Sequence, residues 1–438
     1  MKNVDLILQP QWIIPVLPKA AVYEDCAIVV HDGCIEAIVP VGEIAEQYQA
    51  TETVTLPNQV VLPGLVNGHG HGAMNLLRGY ADDLPLDKWL QEHIWPAEAS
   101  WVGAEFVRDG SRHALAETLR SGVTCFSDMY FFPEVMAEVA TNMGMRAQVA
   151  FPILEFPSAW GQGPDEYIQK GLALHDQYRD HSLIKVAFGP HAPYTVSDET
   201  FQRVAVLAAE VDAQIQVHLH ETAQEVTNSL KDTGKRPIQR LRELEILGPR
   251  TQAVHMTQLT GEEIDLIAAT NTAVIHCPKS NLKLASGFCP VTDLLNAGAR
   301  VGLGTDGAAS NNGLNMLEEM RFASLLAKGT SQDATALPAI EALEMATLGG
   351  ARSLGMEATI GSLEVGKSAD MFSMHLNDLH SQPLYHLVSQ IVYAAKMQAE
   401  NLWVAGNQLL RDGELTQVNE TEILARAQHW ATQISGNE

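Results

Sequence analysis

Val60-Val61-Leu62-Pro63-Gly64-Leu65-Val66-Asn67-Gly68-His69-Gly70-His71 is the point at which this chain changes character. From here to about residue 362, short apolar runs alternate with longer segments patterned as helices. The runs are 60–66, 122–126, 146–151, 184–189, 214–219, 251–256, 273–277 and 300–304, eight in all. Between them, stretches such as 198–211, with Asp198 as the expected N-cap, and 261–270 place apolar residues at helical spacing. A strand buried on both faces reads as a nearly continuous apolar run. Eight such strands alternating with helices therefore predict an α/β fold, a (β/α)8 TIM-like barrel over 59–362.

The flanks read differently. In 1–58, Val4-Asp5-Leu6-Ile7-Leu8, Cys26-Ala27-Ile28-Val29-Val30 and Cys34-Ile35-Glu36-Ala37-Ile38 are short strand-like runs, with His31-Asp32-Gly33 as a hairpin turn between the last two. Strand-like runs return in 363–415, at 369–374, 391–395 and 402–405. Pairing the two flanks predicts one small β-sandwich domain formed by the N- and C-terminal segments. A helix over 420–434, within 416–438, closes the chain.

Composition narrows the function. Lys+Arg 28 minus Asp+Glu 53 leaves a net charge of −25, which repels phosphate backbones and anionic lipid headgroups. Nucleic-acid and membrane-surface partners are therefore not expected. A hydrophobic fraction of 46% over 438 residues supports a large core and excludes disorder as the main theme. No run approaches the roughly 18 apolar residues of a membrane span. Met1-Lys2-Asn3-Val4-Asp5 does not begin a secretory leader. The five cysteines, Cys26, Cys34, Cys125, Cys277 and Cys289, are scattered and form no CxxC pair. That pattern belongs to a reducing compartment, so the expectation is a soluble cytoplasmic protein.

Polar groups mark the carboxyl ends of the expected strands. Residues two apart on a strand face the same way, so His69 and His71 can both reach one ion at the barrel mouth. Alone, such a pair is two histidines in a turn. But the fifth strand ends His218-Leu219-His220-Glu221, the sixth carries His255, and the eighth ends Gly304-Thr305-Asp306-Gly307. Strand carboxyl ends of a barrel meet on one face, where active sites of this fold are built. Buried imidazoles and carboxylates without a task would be costly there. Together they point to a metal site.

The sequence resembles the amidohydrolase superfamily, in particular its mononuclear-metal deaminase branch, which includes 5′-methylthioadenosine/S-adenosylhomocysteine deaminases and triazine chlorohydrolases. The matching stretches begin with Pro63-Gly64-Leu65-Val66-Asn67-Gly68-His69-Gly70-His71, Leu76-Leu77-Arg78-Gly79, Asp82-Asp83-Leu84-Pro85-Leu86 and Trp89-Leu90. They continue with His191-Ala192-Pro193-Tyr194-Thr195, His218-Leu219-His220-Glu221-Thr222, His276-Cys277-Pro278-Lys279-Ser280-Asn281 and Gly304-Thr305-Asp306-Gly307, and end with Gly361-Ser362-Leu363-Glu364-Val365-Gly366-Lys367. They span nearly the whole chain in the family's order.

The resemblance implies a metal-dependent hydrolase barrel that deaminates 5′-methylthioadenosine and related adenosines. It assigns His69, His71, His218 and Asp306 to one divalent metal ion per subunit, zinc, with iron(II) or manganese as alternatives. Three neutral imidazoles and a carboxylate suit such an ion and leave a position for water. Of the pair at the fifth strand, the family places the metal on His218, and His220 is expected in a supporting or core role. No lysine stands at the end of the fourth strand, since Lys185 lies at its start, so the carbamylated two-metal variant is not expected. Glu221 is the expected proton carrier to a ring nitrogen of the purine. His255 is expected to deprotonate the water, with Asp306 sharing that proton. By resemblance Glu98 accepts hydrogen bonds from ribose hydroxyls and His191 binds substrate.

In one place the sequence departs from the broad family. The region between the third and fourth strands offers only Arg179, late in a helix, to hold an amino-acid carboxylate. Residues 151–160 are instead apolar and aromatic, with Phe151, Phe156 and Trp160, and are expected to wall the pocket beyond the ribose. This favours 5′-methylthioadenosine over S-adenosylhomocysteine. The competing readings are a free-base deaminase or triazine-type hydrolase on the same site, and a barrel retained only as a scaffold. The expected partner is a small-molecule purine nucleoside, and the expected assembly a homo-oligomer, dimer or tetramer.

Overall fold

The computed structural model describes residues 1–436. Eight parallel strands follow one another around a barrel in strict chain order. They are Leu65–Gly70, Val123–Met129, Arg146–Ile153, Ile184–Pro190, Ile215–Leu219, Thr251–His255, Ala273–His276 and Arg300–Leu303. Nearly every residue in them is buried, as the apolar runs require. The last and first strands are joined beyond the regular ladder. The Asp306 amide donates to the His69 carbonyl (3.0 Å), and the Asn67 carboxamide donates to Thr305 Oγ1 (2.7 Å) while accepting from its amide (3.0 Å). That seam needs a residue without a side chain, because a Cβ on Gly304 would sit 2.9 Å from the His69 nitrogen.

The first barrel strand lies later than expected. The run Val60–Pro63 is the end of a 16-residue strand, Tyr48–Pro63, that belongs to the terminal sheet. The chain passes from sheet to barrel at Gly64, where a Cβ would fall 1.9 Å from Thr124 Oγ1. Continuous apolarity hides the junction, because the residues on both sides of it are buried.

The terminal segments build one nine-stranded sheet. Lys2–Ile13 lies at its centre, parallel to Tyr48–Pro63 and antiparallel to Cys26–His31. Met371–His375 and Asn401–Val404 extend the other side. The edge strand Cys34–Pro40 also bridges to Ser368, just ahead of Met371–His375, and Leu8, Ile28, Ile35, Val61 and Trp403 form one core of this sheet. The expected hairpin turn is present, with Asp32 and Gly33 both left-handed (φ 49° and 74°).

Two local expectations are corrected. Residues 391–395 are not a strand, because Leu387–Tyr393 is a helix. Val388, Ile391 and Val392 recur at helical spacing on its buried face, and the His386 ring caps it by accepting from the Ser389 amide. The N-cap of the helix Asp198–Glu210 is Ser197, whose hydroxyl accepts from Thr200 N (3.2 Å); Asp198 instead occupies the first turn. The closing helix runs Glu420–Ser435 and docks on the helix Ala104–Arg120, where Arg426 and Trp430 both donate to Asp109 (2.8 Å each).

Candidate active site

The barrel's carboxyl-end face gathers the residues singled out in the sequence. His69 stands next to last in the first strand, and His71 directly follows that strand. His218 lies in the fifth strand, His255 ends the sixth, and Asp306 follows the eighth. Their donor atoms converge. His69 Nε2 is 3.2 Å from His218 Nε2, and Asp306 Oδ1 is 3.2 Å from His71 Nε2 and 3.6 Å from His69 Nε2. Two overlapping triads, His69–His218–His255 and His69–His71–Asp306, could each hold a cation.

Each imidazole is held from behind by an acceptor. His69 Nδ1 donates to Gln216 Oε1 (2.8 Å), His71 Nδ1 to the Met129 carbonyl (2.6 Å), His218 Nδ1 to the His191 carbonyl (2.8 Å) and His255 Nδ1 to Asn281 Oδ1 (2.9 Å). An acceptor at Nδ1 places the proton there and leaves each Nε2 lone pair facing inward. The Gln216 amide is itself oriented by the barrel interior. Its nitrogen donates to the Gly68 carbonyl (3.0 Å), to Ser127 Oγ (3.1 Å) and to Gln252 Oε1 (2.7 Å). Burial pulls His69 down to about 4 and holds His218 well below the usual imidazole range. Burial alone would raise Asp306, but contact with His69 and His71 keeps it well below the ordinary carboxylate value. His71 goes the other way: its burial is outweighed by Asp306, which raises it to about 9. Metal binding would displace that proton, and the inward-facing imidazoles around an anionic carboxylate then fit a divalent ion.

Glu221 stands beside this cluster, outside both triads, with Oε2 3.7 Å from His255 Nε2. Burial, and after it the charge of Asp306, pushes its carboxyl up to about 8. A carboxyl that keeps its proton near neutral pH can deliver it. The backbone that aims it is clamped by Glu225, whose oxygens accept from the amides of His220 (3.0 Å) and Glu221 (2.7 Å). His220 points elsewhere, with Nδ1 on the Gln258 carbonyl (3.2 Å) and Nε2 accepting from Ile238 N (3.1 Å). It belongs to the core, as expected.

A cavity of about 310 Å³ opens above the cluster. Glu98 and His191 both line it, from the first and fourth strand–helix connections. So does Tyr130, which sequence reasoning missed although it directly follows the second strand. Asn281 and Glu225, which orient His255 and Glu221, were also missed; both lie inside quoted motifs or within four residues of one. The expected wall is only partly correct. Phe156 and Leu154 face the cavity, and Phe156 packs against Trp95 with ring centroids 6.2 Å apart. Phe151 is fully buried against Phe188, and Trp160 turns away to stack on Tyr167 and donate to Glu134 (3.0 Å). Arg179 pairs with Asp176 on the surface, and Arg146, at the start of the third strand, is held by Asp370 (2.9 Å) at the opposite end of the barrel.

The model of the amidohydrolase family matches residues 60–409, which takes in the barrel and most of the C-terminal flank. The chain belongs to the amidohydrolase family. Among curated relatives of this amidohydrolase, a protein of Teredinibacter turnerae named 5-methylthioadenosine/S-adenosylhomocysteine deaminase is 51% identical over 99% of this chain and 98% of its own. One of the same name from Saccharophagus degradans is 52% identical over 98% and 97%. Among solved structures, an adenosine deaminase of Xanthomonas campestris with bound zinc superposes with a TM-score of 0.98 at 48% identity, covering 99% of both chains. An atrazine chlorohydrolase of Arthrobacter aurescens has a TM-score of 0.91 at 24% identity, covering 97% of this chain and 100% of its own, and so shares the amidohydrolase fold.

Proposed function

We propose that the protein is a metal-dependent hydrolytic deaminase of 5′-methylthioadenosine, adenosine and related 5′-modified adenosines. The exocyclic amine at C6 of the purine leaves as ammonia, and water supplies the oxygen of the inosine analogue. One observation carries this reading beyond the relatives' names. Glu98 lines the same cavity as the histidine–aspartate cluster, and in this reading it accepts from the hydroxyls of a ribose. A free base or a triazine would give Glu98 nothing to bind.

His69, His71, His218 and Asp306 hold the metal in this reading, zinc by analogy with the Xanthomonas protein, with iron(II) or manganese as alternatives. When bound, the ion supplies a Lewis acid that makes water acidic near neutral pH. Glu221 then donates a proton to a ring nitrogen of the purine. His255, its Nδ1 held by Asn281, presents Nε2 to take a proton from the attacking water, and Asp306 shares that proton. His191 packs against His218, with ring centroids 4.9 Å apart, and binds substrate at the cavity edge.

No lysine or arginine is among the residues lining the cavity, so a 5′-methylthio group is preferred over a zwitterionic homocysteine tail. No described helix is long and apolar enough to cross a membrane, and the five cysteines are unpaired, which supports a reducing, cytoplasmic location. A homo-oligomer is part of the same reading, supported by the exposed Leu325, Leu379 and Tyr385. The deciding experiment is ammonia release by the metal-loaded protein against a panel of adenine nucleosides and free bases. Turnover of the free bases alone would overturn the nucleoside reading.

A further inference from the structure

Tyr130 has no part in the proton transfers, yet it is buried in the cavity wall directly after the second barrel strand. Its hydroxyl donates to Glu98 Oε1 at 2.6 Å. The two residues come from different parts of the fold. Tyr130 is anchored to the barrel, whereas Glu98 lies on the short helix Trp95–Trp101 in the long connection after the first strand. Among the described residues, no other side chain donates to the Glu98 carboxylate, so this bond is what fixes its orientation. The tyrosine cannot readily swing away, because its ring packs against Phe131 (centroids 5.3 Å apart) and lies 6.3 Å from the ring of His71.

We infer that Tyr130 is a positioning residue for nucleoside recognition: by occupying Glu98 Oε1 it presents the rest of the carboxylate to the vicinal hydroxyls of a ribose. The inference rests on the reading of Glu98 as the ribose acceptor. A carboxylate on a mobile arm pays orientation entropy each time it accepts from two hydroxyls. One held by a buried donor is already oriented, and hydrogen bonds to a charged acceptor are the stronger kind. The hydroxyl also lowers the Glu98 carboxyl against the burial that raises it, leaving it at about 7. Tyr130 therefore acts on binding of the sugar and leaves the chemistry at the purine ring unaltered.

The test is a two-by-two comparison on the metal-loaded enzyme. KM and kcat are measured for adenosine and for 2′,3′-dideoxyadenosine, which has no diol, in the parent, Tyr130→Phe and Glu98→Gln. Tyr130→Phe is expected to raise KM for adenosine about 10-fold, the loss of about 1.4 kcal/mol, with kcat changed less than threefold. KM for the dideoxynucleoside should move less than twofold. Equal effects on both substrates, or loss confined to kcat, would overturn the inference. Glu98→Gln separates the two levels. If it leaves the preference for adenosine intact, the ribose reading of Glu98 falls. If it abolishes that preference while Tyr130→Phe does not alter it, the inference about Tyr130 alone falls. Should Tyr130→Phe fold poorly, 3-fluorotyrosine at position 130, a stronger donor of nearly the same size, is expected to lower KM for adenosine selectively. An unchanged KM in that protein would count against the inference.

Discussion

Replacing Glu221 with glutamine keeps the volume and removes the titratable proton. General acid–base catalysis contributes about 10²–10⁴-fold, or about 3–5 kcal/mol at 1.36 kcal/mol per decade. The structure argues for the upper part of that range. Glu221 is buried, so bulk water cannot substitute as the proton source. The neighbouring Glu225 cannot replace it either, since both its oxygens accept from backbone amides. In the proposed mechanism His255 takes the other proton. A fall in kcat of about 10³–10⁴-fold is therefore expected, with metal content and melting temperature kept, because Glu221 lies outside both donor triads. The assay is ammonia release from saturating 5′-methylthioadenosine, alongside metal analysis by atomic emission. A fall of less than tenfold would refute the proton-carrier role. Loss of metal in step with activity would instead make Glu221 a ligand.

Prolonged dialysis against a chelator is expected to abolish activity and lower the melting temperature, with zinc or manganese restoring both; full activity in metal-free protein would refute the metal site. Asp370→Ala strands the buried Arg146, a loss of about 3–5 kcal/mol. With about 2.1 cal/mol/K of unfolding entropy per residue over 438 residues, the melting temperature should fall by about 3–5 °C while kcat is kept. Burial holds the Glu319 carboxyl up to about 8 against an ordinary 4.5, so the fold keeps its proton where the unfolded chain has lost it. Stability gained from that residue is present at low pH and lost as pH rises towards 8. The melting-temperature advantage of the parent over Glu319→Gln should shrink between pH 5 and 8, and parallel curves would refute the assignment. For specificity, burying a methylthio group gains about 1–2 kcal/mol, whereas stripping water from an unpaired carboxylate costs several. kcat/KM should therefore rank 5′-methylthioadenosine above adenosine and both well above S-adenosylhomocysteine; equal values for the first and last would refute the ranking.

The barrel was legible because burial on both faces imposes continuous apolar runs, and that signal survives in a single sequence. The same signal misplaced the first strand, since Val60–Pro63 is just as buried in the terminal sheet as Leu65–Gly70 is in the barrel. The inward-facing His69, His71, His218, His255 and Asp306 were legible for a related reason: polar residues at the ends of apolar runs stand out against them. Their supports were not. Gln216 and Gln252 alternate with apolar neighbours inside strands, and nothing local marks them as partners of each other or of His69. Trp160 was misread because an aromatic near a pocket carries no sign of which way it faces; its stacking on Tyr167 is settled by a residue seven positions away.

The backbone at the site was also beyond sequence reasoning, and it explains why the supports matter. His220, His255, Met256 and Asp306 are all left-handed, with φ of 52°, 77°, 53° and 61°. None is a glycine, and each such residue costs about 1–3 kcal/mol. The chain tolerates this only where hydrogen bonds over-determine the geometry. Thr257 provides such bonds at the fifth and sixth strands, its amide donating to the His220 carbonyl (3.0 Å) and its hydroxyl to that of Glu221 (2.6 Å). At the eighth, the Asp306 amide meets the His69 carbonyl, and Gly307 N donates to Asp306 Oδ1 (2.8 Å). The left-handed turns aim Glu221, His255 and Asp306 off their strands and over the cavity floor, where regular strand geometry would have directed alternate side chains into the barrel wall. The chemistry proposed for the site would come from its histidines and carboxylates, while the hydrogen bonds of Thr257, Gln216 and Asn281 hold those side chains and their backbone in place.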